Sequence, residues 1–490
     1  MINIILFLYA AFIVILFFYS IHAFILIYRH FKFSKNGKRR KKRKLKILPN
    51  VTIQLPIYNE KYVIRRLLNC VTSMDYPRDK FEIQVLDDSD DETTSIVADL
   101  VKQYQKDNYD IKHIRRGSRA GFKAGALQYG LERAKGDYIA IFDADFVPPP
   151  DFLTELLPEF GDRNVGGVQA RWGHLNDSYS FLTRSQAIGL DNHFLMEQRL
   201  RSQANWFINF NGTCGLWLKH AIIDGGGWHD DTLAEDLDLS YRVQLKGWII
   251  KFRGDFVVPG ELPQSAYSYR IQQNRWAKGT IQVARKLLPQ VLKSTLKPMA
   301  KYEAFVHLTC HVNFFAMLGL AVFSIPIVYF KVEGMVPDSY FIFLSLFTVS
   351  AFGYPFVYYL SQRQAYQDYY RKIPYIVGVI AYSMGLSISN TKAIIEGWFN
   401  KKHVFTRTPK SGGSKKNYRV ETKSIIPFLE ILLGLYVFAG LVYVIINLQI
   451  ILVPFLLLYS FGFLSLGFSS IKDDILNLRA QEVLCSRENS

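Results

Sequence analysis

The stretch IFDADFVPPP (residues 141–150) decides the fold class of this chain. Apolar residues typical of a buried strand run directly into two carboxylates, Asp143 and Asp145, and three prolines then prevent the strand from continuing. Carboxylates are seldom buried unless a cation or water compensates their charge. A divalent metal ion, a cationic side chain and solvent are the candidate partners.

The surrounding sequence alternates strand-like and helix-like segments. Strand-like runs such as VTIQLPI, FEIQVLD and DYIAI are separated by helix-like runs such as KYVIRRLLNCV and SIVADLVKQYQK. This alternation predicts an α/β domain with a Rossmann-like, mostly parallel sheet covered by helices on both faces. Ligands bind such sheets beyond the carboxyl ends of the strands. Polar clusters follow three predicted strands, at residues 58–60, 87–90 and 143–145, so we expect them on one rim.

Composition places this α/β domain between membrane segments. Of the 490 residues 49% are hydrophobic, but residues 1–27 are almost free of charge, whereas residues 32–301 carry charges throughout. The N-terminal run is longer than the core of a secretory signal and is expected to remain as a transmembrane anchor. The predicted regions are an anchor at 1–28, a polybasic linker at 29–48, a cytosolic domain at 49–266, amphipathic interfacial helices at 267–300, a transmembrane region at 301–470 with a cytosolic loop at 400–424, and a cytosolic tail at 471–490.

Basic residues predict the orientation of these segments. The linker sequence RHFKFSKNGKRRKKRKLK carries much of the net charge of +17, and such clusters stay on the cytoplasmic side of a membrane. A nucleic-acid-binding arm is the less favoured alternative, because the run already serves topology and lipid binding; no nucleic-acid partner is expected. Besides the anchor, we predict four full spans, at residues 304–330, 340–360, 425–448 and 451–468. The apolar segment 373–390 has basic residues on both sides, so it is expected to be re-entrant or interfacial.

Two acidic pairs are candidates for chemistry. Carboxylate oxygens suit Mg²⁺ or Mn²⁺, so Asp143 and Asp145 are candidate metal ligands, although a lone Asp-x-Asp is weak evidence. Glu235 and Asp236 open a helix-like run, TLAEDLDLSYRVQL, where acidic residues often only complement the helix dipole. Neither pair assigns a function by itself.

Seven motifs in order carry a family resemblance: LPIYNE, VLDDSDDET, KAGAL, FDADF, FNGTCGLW, LAEDLDLS and QQNRW. Over residues 51–288 the chain resembles the processive glycosyltransferases of family two. It is most similar to the cellulose-synthase-like A group, the mannan and glucomannan synthases, and to their bacterial relatives. The later FTRTPK (residues 405–410) is similar to the gating-loop motif of cellulose synthases. The resemblance implies a cytosolic GT-A type domain inserted between transmembrane helices.

The resemblance also implies a binding site for a nucleotide sugar. Lys123 would pair with the diphosphate as a point charge, and Asp143 and Asp145 would bind the diphosphate through Mg²⁺ or Mn²⁺. The residues implied to hold the base and ribose are Tyr58, Glu60 and either Asp87 or Asp88.

The catalytic roles that the resemblance implies fall on two later motifs. Asp236, beside Glu235, would be the general base that takes the proton of the acceptor hydroxyl. Arg275 would neutralise the developing pyrophosphate charge. Gln272 and Trp276 would contact substrate, with Trp276 stacking on the acceptor sugar; so would Phe405, Thr406 and Lys410 of the gating motif. The chain departs from the usual Thr-Glu-Asp motif by having Ala234 in place of Thr, which is expected to alter only how the loop is held.

The predicted function is therefore a membrane-embedded, processive, inverting glycosyltransferase that elongates and secretes a β-linked polysaccharide. The alternative is transfer of a single sugar to a lipid acceptor; a receptor that only binds nucleotide sugars is less favoured. The donor stays open between UDP-glucose, GDP-mannose and GDP-glucose, with a lean to UDP-glucose from the look of QQNRWAKGTIQVARKLLP. A cell inner membrane and a Golgi-type membrane are both compatible with the sequence, which leaves the oligomeric state and any accessory subunit open.

Overall fold

The computed structural model describes residues 2–34, 47–399 and 424–488. The strands are β1 Val51–Ile57, β2 Phe81–Asp87, β3 Ile111–Ile114, β4 Tyr138–Ile141, β5 Val165–His174, β6 Gly215–Leu218 and β7 Ile249–Gly260. The helices before β7 are α1 Ile2–Ser34, α2 Ile64–Thr72, α3 Thr93–Lys106, α4 Phe122–Leu131, α5 Phe152–Leu156, α6 Phe181–Asn192, α7 Arg199–Gln203, α8 Lys219–Asp224 and α9 Glu235–Leu245. The later helices are α10 Ala266–Lys293, α11 Pro298–Thr309, α12 Val312–Val332, α13 Asp338–Ser345, α14 Gly353–Ala365, α15 Ile373–Gly385, α16 Ser387–Trp398, α17 Ile426–Ile446 and α18 Val453–Glu488.

The strands form one seven-stranded sheet in the order β3-β2-β1-β4-β6-β5-β7. The first four strands are mutually parallel, β6 runs antiparallel between β4 and β5, and β7 is parallel to β5. The mostly parallel α/β sheet predicted from the alternation is thus confirmed. Every residue of β2 is buried, as expected for a strand covered by helices on both faces. One face packs on α2, α3 and α5, and the other on α4, α8 and α9.

The pairing register of β1, β2 and β4 brings the polar clusters to one edge of the sheet. Ile57 at the end of β1 pairs with Asp87 at the end of β2, and β4 pairs with β1 up to Ile141. The chain leaves all three strands at the same edge of the sheet, so the residues that follow them lie together there.

Apolar helices flank this domain in sequence. Four helices in the described residues are long and apolar enough to cross a membrane: 2–33, 312–332, 426–446 and 450–473. In the first of them only 11% of the most apolar window is buried inside the protein, which leaves its surface available to lipid. These features are consistent with an integral membrane protein.

Two expected spans differ from the structure. Residues 340–360 form α13, a 3₁₀ segment at Thr348–Phe352 and the start of α14, so no single helix crosses there. Gly353 and Pro355 explain the break, because proline favours the first turn of a helix and disfavours its interior. Residues 304–330 are likewise divided between α11, which ends at Thr309, and α12, which begins at Val312.

The segment 373–390 belongs to a bent helix pair. Residues 369–385 and 387–398 are inclined by 51°, which is the geometry of a broken span or a re-entrant loop. Its second helix, α16, lies against α10: the Asn274 amide donates to the Ser389 carbonyl at 2.9 Å, and Arg285 donates to the Trp398 carbonyl at 2.9 Å.

A buried ion pair joins α10 to the C-terminal helices. The Arg270 guanidinium donates to both carboxylate oxygens of Glu430, at 3.1 and 2.6 Å, and also to Ser470 Oγ at 2.9 Å. A bidentate pair fixes orientation as well as distance. The helix that carries the QQNRW motif is therefore held firmly on α17 and α18.

Some predictions lie outside the described residues. They concern most of the polybasic linker (residues 35–46) and the gating loop with Phe405, Thr406 and Lys410.

Candidate active site

An open cleft lies at the carboxyl edge of β1, β2 and β4. Every site residue predicted in the described part of the chain, Asp87 excepted, lines it. These are Tyr58, Glu60, Asp88, Lys123, Asp143, Asp145, Glu235, Asp236, Gln272, Arg275 and Trp276. The structure thus brings together residues that are spread over more than two hundred positions of sequence.

The two neighbouring acids at the end of β2 have different environments. Asp87 is buried, with one carboxylate oxygen 2.8 Å from His113 Nε2 and the other accepting from the Ser89 amide at 2.9 Å. Burial alone would raise the pKa of Asp87, but these hydrogen bonds lower it. Asp88 lines the cleft and accepts from the Arg116 guanidinium, at 2.9 Å from Nε to Oδ1. Of the two, Asp88 is the acid that reaches the cleft.

Tyr58 and Arg119 form one wall of the cleft. The guanidinium carbon of Arg119 lies 3.3 Å from the centroid of the Tyr58 ring, and the Tyr58 hydroxyl donates to Asp90 Oδ2 at 3.3 Å. Sequence reasoning missed Arg119, although it lies only four positions before Lys123 in the basic stretch RRGSRAGFK. The wall presents an aromatic ring and a cation side by side.

Lys123, in the first turn of α4, links three segments of the site. Its Nζ donates to Asp143 Oδ1 at 2.6 Å and to the Gly212 carbonyl at 3.0 Å, and it lies 3.8 Å from Glu235. Burial alone would lower the pKa of Lys123, but the nearby charges of Asp143 and Glu235 outweigh it and raise the pKa. A charged ammonium therefore compensates part of the acidic charge that follows β4.

Asp143 and Asp145 supply the donor atoms that a hard divalent ion prefers. The backbone amide of Asp143 donates to Thr213 Oγ1 at 2.8 Å, which fixes the turn after β4, and Asp145 is only 6% exposed. Both residues line the cleft. Two carboxylates on one wall, with room beside them for phosphate and water oxygens, fit Mg²⁺ or Mn²⁺.

Asp236 is the second residue of α9 and accepts from the Leu237 amide at 2.8 Å. Burial and the adjacent charge of Glu235 raise the pKa of Asp236 to about 7, and the charges of Lys123 and Arg275 oppose this rise. A carboxylate with a pKa near neutrality is well matched to proton abstraction.

The loop before Asp236 is held by α10. The Leu233 amide donates to Gln282 Oε1 at 2.9 Å. A Cβ placed on Gly279 would lie 2.8 Å from the Ala234 Cβ, so α10 and the loop approach as closely as two backbones allow. This contact accounts for the small residue at 234, where the usual motif has Thr.

A second acidic cluster lies near α9 without being a metal site. Among the described residues, only His229, Asp231 and Asp238 place three ligand atoms within 4.8 Å of one another. Lys286 Nζ occupies their centre, at 2.8 Å from Asp231 and Asp238 and 3.1 Å from His229. An ammonium group already balances these acids.

The end of β5 also contributes to the cleft. Trp172 and His174 line it, and sequence reasoning missed both. The sequence indicates only that Trp172 and His174, two residues apart in a strand-like run, lie on the same face of a strand. It does not reveal whether that face meets a binding site.

Comparisons with known proteins agree with this geometry. Residues 52–225 match the model of the Glycosyl transferase family 2 family. The chain is similar to glucomannan 4-beta-mannosyltransferase 1 of Cyamopsis tetragonoloba, at 38% identity over 281 residues, which are 56% of this chain and 53% of that protein. It is also 39% identical to glucomannan 4-beta-mannosyltransferase 2 of Arabidopsis thaliana over 251 residues, 50% of this chain and 47% of that one.

The matches confirm the resemblance to the cellulose-synthase-like A group read from the motifs. This chain spans about half the length of the curated relatives it matches. Among solved structures, a mannosyltransferase from Pyrobaculum calidifontis in complex with GDP-mannose and Mn²⁺ has a TM-score of 0.56 at 20% identity. The match covers 80% of this chain and 100% of that one and shows a shared GT-A fold.

Proposed function

We propose that this protein is a membrane-embedded, processive, inverting glycosyltransferase that elongates a β-linked polysaccharide from a nucleotide sugar. The observation that carries the proposal is the single cleft lined by Lys123, Asp143, Asp145, Asp236 and Trp276. It combines an acidic pair, a phosphate-pairing cation, a candidate base and an aromatic platform for a sugar.

In this proposal the donor diphosphate lies beside Lys123 and Arg275, whose charges stabilise the leaving group. A bound Mg²⁺ or Mn²⁺, held by Asp143 and Asp145, would supply Lewis-acid neutralisation of that leaving group. Tyr58, Glu60 and Asp88 hold the nucleoside. The cation of Arg119 stacked on Tyr58 adds a positive charge on the donor side of the cleft.

Asp236 removes the proton from the acceptor hydroxyl while that oxygen attacks the anomeric carbon. Attack from the side opposite the leaving group converts an α-linked donor into a β-linked product. The pKa near 7 lets Asp236 be deprotonated before the attack yet basic enough to take the proton. Trp276, on α10, stacks on the acceptor sugar.

GDP-mannose is the donor we propose first, with Mn²⁺ or Mg²⁺. The names of the similar plant proteins specify 4-beta-mannosyl transfer, and the solved structure with the same fold holds GDP-mannose and Mn²⁺. These similarities favour a β-1,4-mannan or glucomannan over the glucan suggested by the look of the QQNRW region.

Export of the product through the membrane helices completes the proposal. The ion pair between Arg270 and Glu430 holds α10, the helix that carries Trp276, on α17, which supports a route for the growing chain from Trp276 toward α17 and α18. The basic residues of the linker support a cytosolic catalytic domain, with the helices embedded in a cell inner membrane or a Golgi-type membrane.

A donor screen tests this function. The full chain, purified in nanodiscs with Mn²⁺ or Mg²⁺, is offered radiolabelled GDP-mannose, GDP-glucose and UDP-glucose, and the products are sized and digested with β-mannanase or cellulase. A long, β-mannanase-sensitive product from GDP-mannose is expected. Label found only in a lipid-extractable product with one sugar would instead support transfer to a lipid acceptor, and no product from any donor would contradict the proposal.

A further inference from the structure

Two polar atoms at the end of β5 have no hydrogen-bond partner in the part of the chain that the structure describes. Trp172 Nε1 and His174 Nδ1 are buried, and neither has a hydrogen bond among the described residues. Both residues line the cleft that also holds Asp236. Buried polar groups are nearly always hydrogen-bonded, so a specific orphan atom in a cleft wall calls for a ligand or an ordered water.

Contact with Asp191 fixes the orientation of the His174 ring. Its side chain is 3% exposed, and its Nε2 lies 3.2 Å from Asp191 Oδ1. Burial alone would raise the pKa of Asp191, but the hydrogen bond from His174 and the charge of Arg171 lower it. An ionised carboxylate only accepts, so Nε2 carries the proton and, in the neutral ring, Nδ1 presents a lone pair.

Asp191 is itself held by α14 and by the residue that follows that helix. The Tyr366 hydroxyl donates to Asp191 Oδ2 at 3.0 Å, and the Gln362 amide donates to the same atom at 3.2 Å. Gln362 belongs to α14 and Tyr366 follows its last residue, whereas Asp191 belongs to α6. The hydrogen-bond chain from α14 through Asp191 to His174 therefore preorganises an acceptor atom.

Trp172 is immobilised in the same wall. Its ring centroid lies 5.1 Å from that of Phe146 and 5.4 Å from that of Phe194. Trp172 and His174 are two residues apart on one strand, so they project from the same face of β5. Together they offer one N–H donor and one nitrogen acceptor, a pattern that matches sugar hydroxyls, which both donate and accept.

We propose that Trp172 Nε1 and His174 Nδ1 form a subsite for the hydroxyl groups of a pyranose in the cleft, with Asp191 as the residue that positions His174. The inference rests on the proposed function and adds specificity residues to it. The sugar is either that of the donor or the end of the acceptor glycan, and the two sources are separated by the test.

Two substitutions of His174 separate ligand binding from a structural role. His174→Asn keeps an acceptor near the position of Nδ1 but loses the contact with Asp191, whereas His174→Gln keeps a group near Nε2 and lacks Nδ1. Trp172→Phe removes the N–H and keeps the ring. Matched controls are His220→Gln, on the exposed surface of α8, and Trp248→Phe, whose Nε1 donates to Asp224 at 2.8 Å outside the cleft.

The experiment uses the full chain in nanodiscs and measures binding of GDP and of GDP-mannose, and the KM for a β-1,4-linked manno-oligosaccharide acceptor. Loss of one hydrogen bond to a sugar weakens binding by about tenfold. If the subsite holds the donor sugar, His174→Gln and Trp172→Phe weaken the binding of GDP-mannose by that factor and leave the affinity for GDP unchanged. If it holds the acceptor, both nucleotide affinities stay unchanged and the acceptor KM rises.

In either case the affected constant changes less in His174→Asn than in His174→Gln, relative to the unsubstituted protein. The proposal is overturned if all three constants match those of the controls, since water would then satisfy both atoms. It is also overturned if His174→Asn is the more damaging variant, since His174 would then only support Asp191. An unsubstituted protein that binds no nucleotide sugar would instead contradict the proposed function itself.

Discussion

Lys123 Nζ lies 2.6 Å from Asp143 Oδ1 and joins the first turn of α4 to the turn after β4. The same ammonium lies 3.8 Å from Glu235, so one cation is shared between the two acidic pairs of the site. The carboxylate of Asp143 thus has a cationic partner within the protein, and a divalent ion with a diphosphate would add to it. This sharing makes Lys123 the electrostatic centre of the cleft.

Lys123→Gln should lower kcat/KM for the donor by about a hundredfold, the usual cost of losing one preorganised charge at a developing anion. GDP-mannose and GDP should both bind more weakly, measured by calorimetry on the protein in nanodiscs. Lys135→Gln is the matched control, because Lys135 pairs with Asp110 on the exposed surface. Unchanged nucleotide affinity in Lys123→Gln would show that this lysine does not contact the diphosphate.

Asp236→Asn should reduce transfer by about 10²- to 10⁴-fold, the range for removal of a general base. Donor binding should be retained, because the amide keeps the size of the carboxylate and the acceptor for the Leu237 amide. Polymer yield from radiolabelled donor and calorimetric donor affinity are measured side by side. Glu132→Gln, at an exposed ion pair on the far end of α4, is the control. A yield near that of the control would refute the role of Asp236 as base.

The rate should depend on pH through Asp236. Only the deprotonated carboxylate accepts a proton, so kcat/KM should fall as pH drops below about 7, the pKa to which burial and Glu235 raise this group. Because the charge of Glu235 contributes to that rise, Glu235→Gln should lower the pKa and move the acid limb of the pH profile to lower pH. An acid limb that stays in place in Glu235→Gln would assign it to another group.

The rim of the site could be predicted from sequence because it depends on local signals. The ends of β1, β2 and β4 are marked by apolar runs that stop at polar clusters, and parallel strands bring such ends together. The choice between Asp87 and Asp88 could not be predicted, since it depends on His113 and Arg116 reaching across from β3 and the loop after it.

Other parts of the structure depend on distant contacts. Trp172 and His174 face the cleft because β5 pairs with β7, at Val258 and Gly260, some 86 residues later. The break within residues 340–360 has a local cause in Gly353 and Pro355, which a hydropathy average does not register. Gly353 also packs directly on α1, where an added Cβ would lie 3.0 Å from the Ala23 Cβ, and that contact is a distant one. Periodicity and hydropathy contain no information about such pairings.

Trp276→Ala should damage elongation more than donor hydrolysis. The indole lines the cleft on α10, where it is proposed to hold the acceptor sugar, and its loss leaves the diphosphate contacts of Lys123 intact. Product length on gels and GDP release in the absence of acceptor separate the two activities. Equal loss of both activities would count against a role at the acceptor.

Gly279→Ala tests whether α10 positions the loop of Asp236. In an exposed helix, replacing glycine with alanine stabilises by about 1 kcal/mol, but here the new Cβ would lie 2.8 Å from the Ala234 Cβ and 2.9 Å from its backbone nitrogen. Since a backbone atom cannot turn aside as a side chain can, we expect overpacking, which costs about 1–3 kcal/mol, to outweigh the helix gain. The loop should move away from α10, and transfer should fall while nucleotide affinity stays unchanged.

Gly117→Ala is the control for this substitution, because nothing lies within 4 Å of the Cβ it would add. Its thermal midpoint and its activity should stay close to those of the unsubstituted protein. If Gly279→Ala raised the thermal midpoint and kept full activity, α10 would have room to shift, and the contact with Ala234 would not be what holds Asp236 in place.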